Sequence, residues 1–145
     1  MKQINVIANQ VRRVYEGDAW HGPSLREALD GVTAEQAADR PIGQAHSIAE
    51  LVAHISGWSD LVRRRIGGET VSEPDGGDWP VVSNGVAKNW EASVAEVLAR
   101  GAALADAIDA IDPGAATDEQ IGNALGALHH AIYHTGQIAV LRKSA

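Results

Sequence analysis

Three of the six histidines in this 145-residue chain lie in the stretch "HHAIYHTGQI", at positions 129–138. His130 and His134 are four residues apart, which places them one turn apart on the same face of a helix. Imidazoles at this spacing can share a metal ion, and because the chain has no cysteine any metal must be held by His, Asp or Glu. The alternative is a pair of core histidines bonded to Ser, Glu or backbone groups. The spacing alone slightly favours that alternative.

The surroundings of the pair strengthen the case for a metal. The helical row that contains it is otherwise apolar, with Ala127, Ala131, Ile138 and Leu141. The opposite row is apolar too, with Ile121, Leu125, Leu128, Ile132 and Ala139. We therefore expect this helix to be buried on two sides. An unpaired buried polar group costs about 1–3 kcal/mol, and one shared ion would satisfy both imidazoles.

Hydrophobic periodicity predicts the elements that position these residues: long helices near 3–16, 47–67, 84–111 and 117–142. Four pairs of residues have the capping-box spacing that marks a helix start: Ser24 with Glu27, Thr33 with Gln36, Ser47 with Glu50, and Thr117 with Gln120. The first two pairs predict short helical turns between the first two long helices. Nothing predicts a strand. We expect an all-α protein, in which residues 1–145 form a single four-helix bundle.

The long connection at residues 68–83 indicates the order of the helices. About sixteen residues at ~3.3 Å each can cross a bundle, which favours an up-down-down-up order. His54 would then lie ~10 Å from the helix start at Ser47, and His134 ~12 Å from the helix end near Arg142. If these two helices are antiparallel, His54 and His134 meet at nearly one level. Three histidines from two helices would form a facial site with open positions.

Two motifs carry a resemblance to a known family: "HSIAELVAHISGW" at 46–58 and "HAIYHTGQIAVLRK" at 130–143. The chain resembles the DinB/YfiT-like family of small bacterial metal-binding proteins over essentially its whole length. The resemblance implies an up-down-down-up four-helix bundle, often dimeric, with His54, His130 and His134 as metal ligands. The implied metal is zinc or nickel. Known members include thiol-dependent transferases and an isomerase, and many others are labelled only as metal-dependent hydrolases.

The remaining candidates have structural explanations as well as functional ones. Glu50 shares a face with His54 and is a candidate base, although its capping role explains it without chemistry. His21, a second catalytic candidate, and His46 lie in the first connection, where loop histidines are often structural. His129 points away from the pair and is expected to be exposed. Trp20, Trp58 and Trp79 are candidates for lining the pocket, although core packing is the default for any tryptophan.

Composition limits the function further. Twelve Lys and Arg residues against nineteen Asp and Glu give a formal charge of −7, so nucleic acid is not an expected partner. With no apolar run of ~20 residues and no signal-peptide pattern, we expect a cytoplasmic protein without membrane contact. The first hypothesis is a homodimeric metal-dependent enzyme acting on a small molecule, either a hydrolase or a transferase of a low-molecular-weight thiol. The alternative is a non-catalytic metal-binding or stress-related regulatory module.

Overall fold

The computed structural model describes residues 2–82 and 86–144. Its helices are α1 Gln3–Glu16, α2 Leu25–Leu29, α3 Ala34–Ala38, α4 Ile48–Ile66, α5 Val86–Asp109 and α6 Asp118–Ser144. No strand occurs in these two ranges, so the all-α class is confirmed. The predicted start of the third long helix, at residue 84, lies outside the described residues. No helix in the described part of the chain has both the length and the apolar composition needed to cross a membrane.

The helix starts follow from local hydrogen bonding. At α2, α3 and α4 the N-cap hydroxyl accepts from the third helical NH, and the side chain at that position accepts from the N-cap NH. Thr117 and Gln120 exchange the same two bonds before α6, at 3.0 and 3.1 Å. All four predicted capping boxes are therefore present. Each cap stabilises its helix by about 1 kcal/mol. Because the two residues of a capping box are only three positions apart, these helix starts can be predicted from the sequence.

The four long helices share one hydrophobic core. Helix α1 packs against α5 and α6, and α4 packs against the same two helices. Asn5 bonds to Asp109, whereas Tyr15, further along α1, contacts Gly101, so α1 and α5 are antiparallel.

Helices α4 and α6, which carry the three candidate ligands, are also antiparallel. Leu51, near the start of α4, shares a cleft with Leu141, near the end of α6. Arg65, near the end of α4, shares another cleft with Gly122, near the start of α6. An up-down-down-up bundle requires this relation, and the complete order stays a prediction.

The connection that follows α4 runs back along that helix. Three contacts mark its path: Pro74 with Gly57, Asp78 with His54, and Trp79 with His46. The chain thus returns from the end of α4 to its beginning, as the length of the predicted connection implied. This path brings residues of an irregular segment beside the histidine of α4.

The end of α6 is fastened to the first connection. Arg142 donates hydrogen bonds to the carbonyl oxygens of Glu27, Ala28 and Asp30, at 2.8–3.0 Å. These bonds hold the end of α6 against the end of α2. His134 lies eight residues, about two helical turns, before Arg142.

Candidate metal centre

His54, His130 and His134 converge between α4 and α6. One ring nitrogen from each can be chosen so that all three lie within 4.8 Å of one another. The Nε2 atoms of His54 and His130 are 2.9 Å apart, and the ring centroids of His54 and His134 are 4.7 Å apart. Two nitrogens that bind one zinc ion at ~2.0–2.1 Å are themselves roughly 3 Å apart. The arrangement therefore fits one shared ion, and we call these residues the histidine triad.

Hydrogen bonds on the far side of two rings determine which nitrogen faces the centre. His54 Nδ1 lies 2.6 Å from the carbonyl oxygen of Asp78, which can only accept. Nδ1 therefore carries the proton, and Nε2 presents its lone pair to the triad. His134 Nδ1 is held in the same way, 2.5 Å from Oε1 of Gln137. Metal-binding histidines are usually oriented by such a partner.

The surroundings of His130 and His134 favour the neutral form of their rings. His54 and His134 are 5% and 8% exposed. Burial, with the neighbouring His134 and His54, lowers the pKa of His130 to about 4. Burial also lowers the pKa of His134, although its bond to Gln137 opposes the shift. At neutral pH these two rings hold no extra proton that an incoming cation would have to displace.

The metal-free protein is expected to lose stability as the pH falls from about 6.5 to about 4. In the unfolded chain His130 takes up its proton near 6.5, whereas in the folded chain its pKa is about 4. The unfolded state binds more protons in this window, so the free energy of unfolding falls with the pH. Thermal unfolding of the metal-free protein across this range measures the slope. His130→Gln should make the slope shallower. An unchanged slope would show that His130 is not the group whose protonation destabilises the folded protein.

Trp79 is inserted between two histidine rings. Its centroid is 3.8 Å from that of His54 and 3.5 Å from that of His46, with interplanar angles of 3° and 8°. The neighbouring Asp78 accepts a hydrogen bond from the indole NH of Trp58 at 2.8 Å. Trp58 and Trp79 were candidates for the pocket wall from sequence, but Asp78 was not. Its carbonyl oxygen holds His54, and any residue at that position offers a carbonyl, so no sequence signal marks it.

Glu50, the candidate base, belongs to a polar network beside the triad. One carboxylate oxygen is paired with Arg40 and with the NH of Ser47, and the other lies 2.9 Å from His46 Nδ1. Desolvation raises its pKa, but the bonds from His46 and Ser47 and the Arg40 charge outweigh that effect. The pKa of Glu50 therefore lies below its usual value. Both oxygens are engaged, and a catalytic role for Glu50 stays a prediction.

The other candidates from the first connection are placed differently. Trp20 is 91% exposed and lines neither of the clefts beside the triad, so the expectation that it forms part of the pocket wall is wrong. His21 is exposed, with Nε2 3.0 Å from the carbonyl oxygen of Pro23 in the same turn. His46, by contrast, lines the cleft that contains His134. His129 is exposed, as expected.

Two clefts reach the triad along different walls. The large cleft has a volume of about 660 Å³ and includes His46 and His134. The rest of its wall is mainly apolar: Ile42, Ala45, Leu51, Trp79, Tyr133, Val140 and Leu141. The small cleft, of about 200 Å³, includes His130, Trp58 and Arg65. A third cleft of about 830 Å³, between residues 30–34 and α5, contains no histidine.

A sequence model of the DinB superfamily matches residues 19–138, which is most of the chain. The chain belongs to the DinB superfamily. The match contains the whole triad, so the family resemblance inferred from the two histidine motifs is confirmed. Comparison with curated proteins and with solved structures finds no match. DinB membership and the histidine cluster together are compatible with metal binding.

In this DinB-superfamily protein, Gln137→Ala is expected to weaken metal binding roughly tenfold to a hundredfold. The substitution removes the acceptor that orients His134. Gln137 is exposed, so the fold should be little affected. Competition with a chromophoric chelator measures the affinity. Gln137→Glu keeps an acceptor at the same place and should retain tight binding, and an alanine variant as tight as the wild type would contradict the role of Gln137.

Proposed function

We propose that this protein is a metal-dependent enzyme that binds Zn²⁺ or Ni²⁺ through the histidine triad and transfers a low-molecular-weight thiol to an electrophile. This proposal depends mainly on the number of protein ligands, which is three. Structural zinc sites are closed by four protein ligands, whereas catalytic sites keep a position open. Within residues 2–82 and 86–144, no further Asp, Glu or His joins the three in one cluster. Clefts border His130 and His134, so small molecules have access.

The bound ion would lower the pKa of a thiol or water and so supply a nucleophile at neutral pH. The chain has no cysteine, so the thiol comes from solution. In the overall reaction the sulfur forms a bond to carbon, and the bond to the leaving group breaks with its electron pair on that group. The thiol proton passes to solvent. His54 and His134, whose outer nitrogens are fixed by hydrogen bonds, would hold the ion and its nucleophile in one place.

The carboxylates near the triad favour thiol transfer over hydrolysis. Attack by water is usually assisted by a general base. Glu50 is engaged by Arg40 and His46, and the Asp78 carboxylate accepts from Trp58. Glu50 would have to break its pairings to act as a base, and a hydrolase would otherwise depend on the second oxygen of Asp78, which is half-exposed. A thiol that loses its proton to solvent needs no base.

The large cleft is where we place the electrophile. Its wall is mainly apolar and includes Trp79, which stacks on His54. Apolar and aromatic walls favour an apolar or aromatic substrate. Gly136 lies on this wall, and a Cβ built on it would meet no atom within 4 Å. Gly136→Leu should therefore obstruct the cleft and raise the KM for the electrophile.

The test of this function is metal-dependent consumption of a thiol. Protein loaded with zinc or nickel is incubated with small thiols and an activated aryl halide, and thiol loss is followed. We expect a rate that falls to the uncatalysed background without metal and in His54→Ala. Consumption no faster than that background, together with no change by any thiol in the spectrum of a cobalt-substituted sample, would instead support the non-catalytic regulatory module.

A further inference from the structure

The small cleft runs between α4 and α6 from the triad towards the end of α4. Six residues define its two ends and its floor: His130, Trp58, Arg65, Gly122, Asn123 and Gly126. Its volume of about 200 Å³ corresponds to roughly seven water molecules at ~30 Å³ each. A compound of about ten non-hydrogen atoms therefore fits inside.

The packing of α4 against α6 does not require glycine at the positions that line this cleft. Gly122 and Gly126 lie four residues apart on α6, and a Cβ built on either would meet no atom within 4 Å. Each glycine in a helix interior costs about 1 kcal/mol relative to alanine. Larger side chains would fit and would favour the helix. The space between the helices is thus kept open at a cost in helix stability.

Arg65 gives the cleft an available positive charge. Its neighbours Arg63 and Arg64 are paired with Asp60 and Glu69. Within the described ranges, no carboxylate lies within the 4.0 Å ion-pair distance of Arg65.

The guanidinium of Arg65 is held in place rather than left to move freely. Its Nε donates to the carbonyl oxygen of Val71 at 2.8 Å, and the side chain is half-buried. This bond leaves the two terminal amino groups for an incoming group. A guanidinium with both amino groups available matches the two oxygens of a carboxylate. Asn123 adds an amide to the same wall.

The two ends of the cleft are separated by a length that a small thiol can span. Arg65 lies seven residues after Trp58, which is ~10 Å along α4, and the arginine side chain shortens the gap. A ligand with its donor atom beside His130 and a carboxylate several bonds away would extend along the cleft towards Arg65. The protein carries a net charge of −7, so an anionic ligand needs such a local cation.

We infer that the small cleft binds the thiol substrate, with its sulfur at the His130 end and its carboxylate on Arg65. This inference rests on the proposed function and names its thiol as a carboxylate-bearing one. The thiol and the electrophile then approach the triad through separate clefts. Neither has to leave for the other to enter.

Two thiols that differ only in a carboxylate test the inference: N-acetylcysteine and N-acetylcysteamine. Each is titrated into full-length cobalt-substituted protein, and the sulfur-to-cobalt absorption band reports binding without turnover. We expect N-acetylcysteine to bind at least tenfold more tightly. In Arg65→Gln that preference should disappear through loss of N-acetylcysteine affinity alone. Arg64→Gln, which breaks the ion pair with Glu69 but lies outside the cleft, should keep the preference.

Filling each cleft in turn provides the second comparison. Gly126→Leu should lower the affinity for both thiols at least tenfold, whereas Gly136→Leu in the large cleft should leave both unchanged. Circular dichroism and cobalt affinity establish that the variants are folded and loaded. Gly126→Ala, which only adds one methyl group, provides a milder form of the same obstruction if the leucine variant does not fold.

The outcomes separate this inference from the proposed function. Equal binding of the two thiols in wild type, or equal loss of both in Arg65→Gln, would overturn the role of Arg65 while the absorption band still supported thiol binding. Absence of the band with every thiol would overturn the proposed function and the inference with it. A preference lost only in Arg65→Gln supports both.

Discussion

His134→Ala is expected to lower the affinity for zinc or nickel by a factor on the order of 100 or more. The substitution leaves two imidazoles where three converge, and loss of even an outer partner of a metal ligand commonly costs tenfold to a hundredfold. His134 is buried, and its Nδ1 is already committed to Gln137. No fourth histidine joins the cluster within the described residues, so none replaces His134.

The matched control is His129→Ala, which removes an exposed imidazole from the same helix. Its metal affinity should equal that of the wild type. Competition with a chelator of known affinity measures both variants under identical conditions. Equal affinities for His134→Ala and His129→Ala would remove His134 from the metal site.

Gly101→Ala is expected to destabilise the protein by about 2–3 kcal/mol. A Cβ at this position would overlap the ring of Tyr15, which is 1% exposed and hydrogen-bonded to Ser59. Moving the ring would break that bond and disturb the contact between α1 and α5. The loss should exceed the ~1 kcal/mol that alanine gains over glycine in a helix.

Gly126→Ala makes the same substitution in the interior of α6, where a Cβ meets no atom within 4 Å. It should stabilise the metal-free protein by about 1 kcal/mol. Urea unfolding of the two variants tests both signs together. If Gly101→Ala raises the midpoint as Gly126→Ala is expected to do, the close approach of Tyr15 to α5 is not what Gly101 provides.

The helices and the triad could be predicted because their determinants are local. The capping box of Ser47 with Glu50 marks the start of α4, and periodicity gives its buried face. The depth of His54 below that cap then follows from the helical rise. The same reasoning, counted back from the end of α6 near Arg142, gives the depth of His134. Two antiparallel helices bring these depths together, and this relation came from the length of one connection.

The residues that complete the site could not be predicted because they depend on the path of irregular chain. Asp78 and Trp79 lie in a connection without periodicity, and only its return along α4 brings them to His54. Trp20 was misplaced for a similar reason. It follows a turn that includes Gly17 and Asp18 at positive φ, and this turn leaves the indole exposed. The contact between Gly101 and Tyr15 joins two helices distant in sequence, and no local pattern indicates it.

X-ray absorption at the metal edge, on zinc-loaded protein with and without a small thiol, tests the central claim most directly. Three histidines with an open position predict three nitrogen ligands at ~2.0–2.1 Å and an exchangeable oxygen ligand. Saturation with thiol should replace the oxygen by one sulfur at ~2.3 Å while the three nitrogens remain. A shell closed by four protein ligands, with no sulfur at saturating thiol, would contradict the claim.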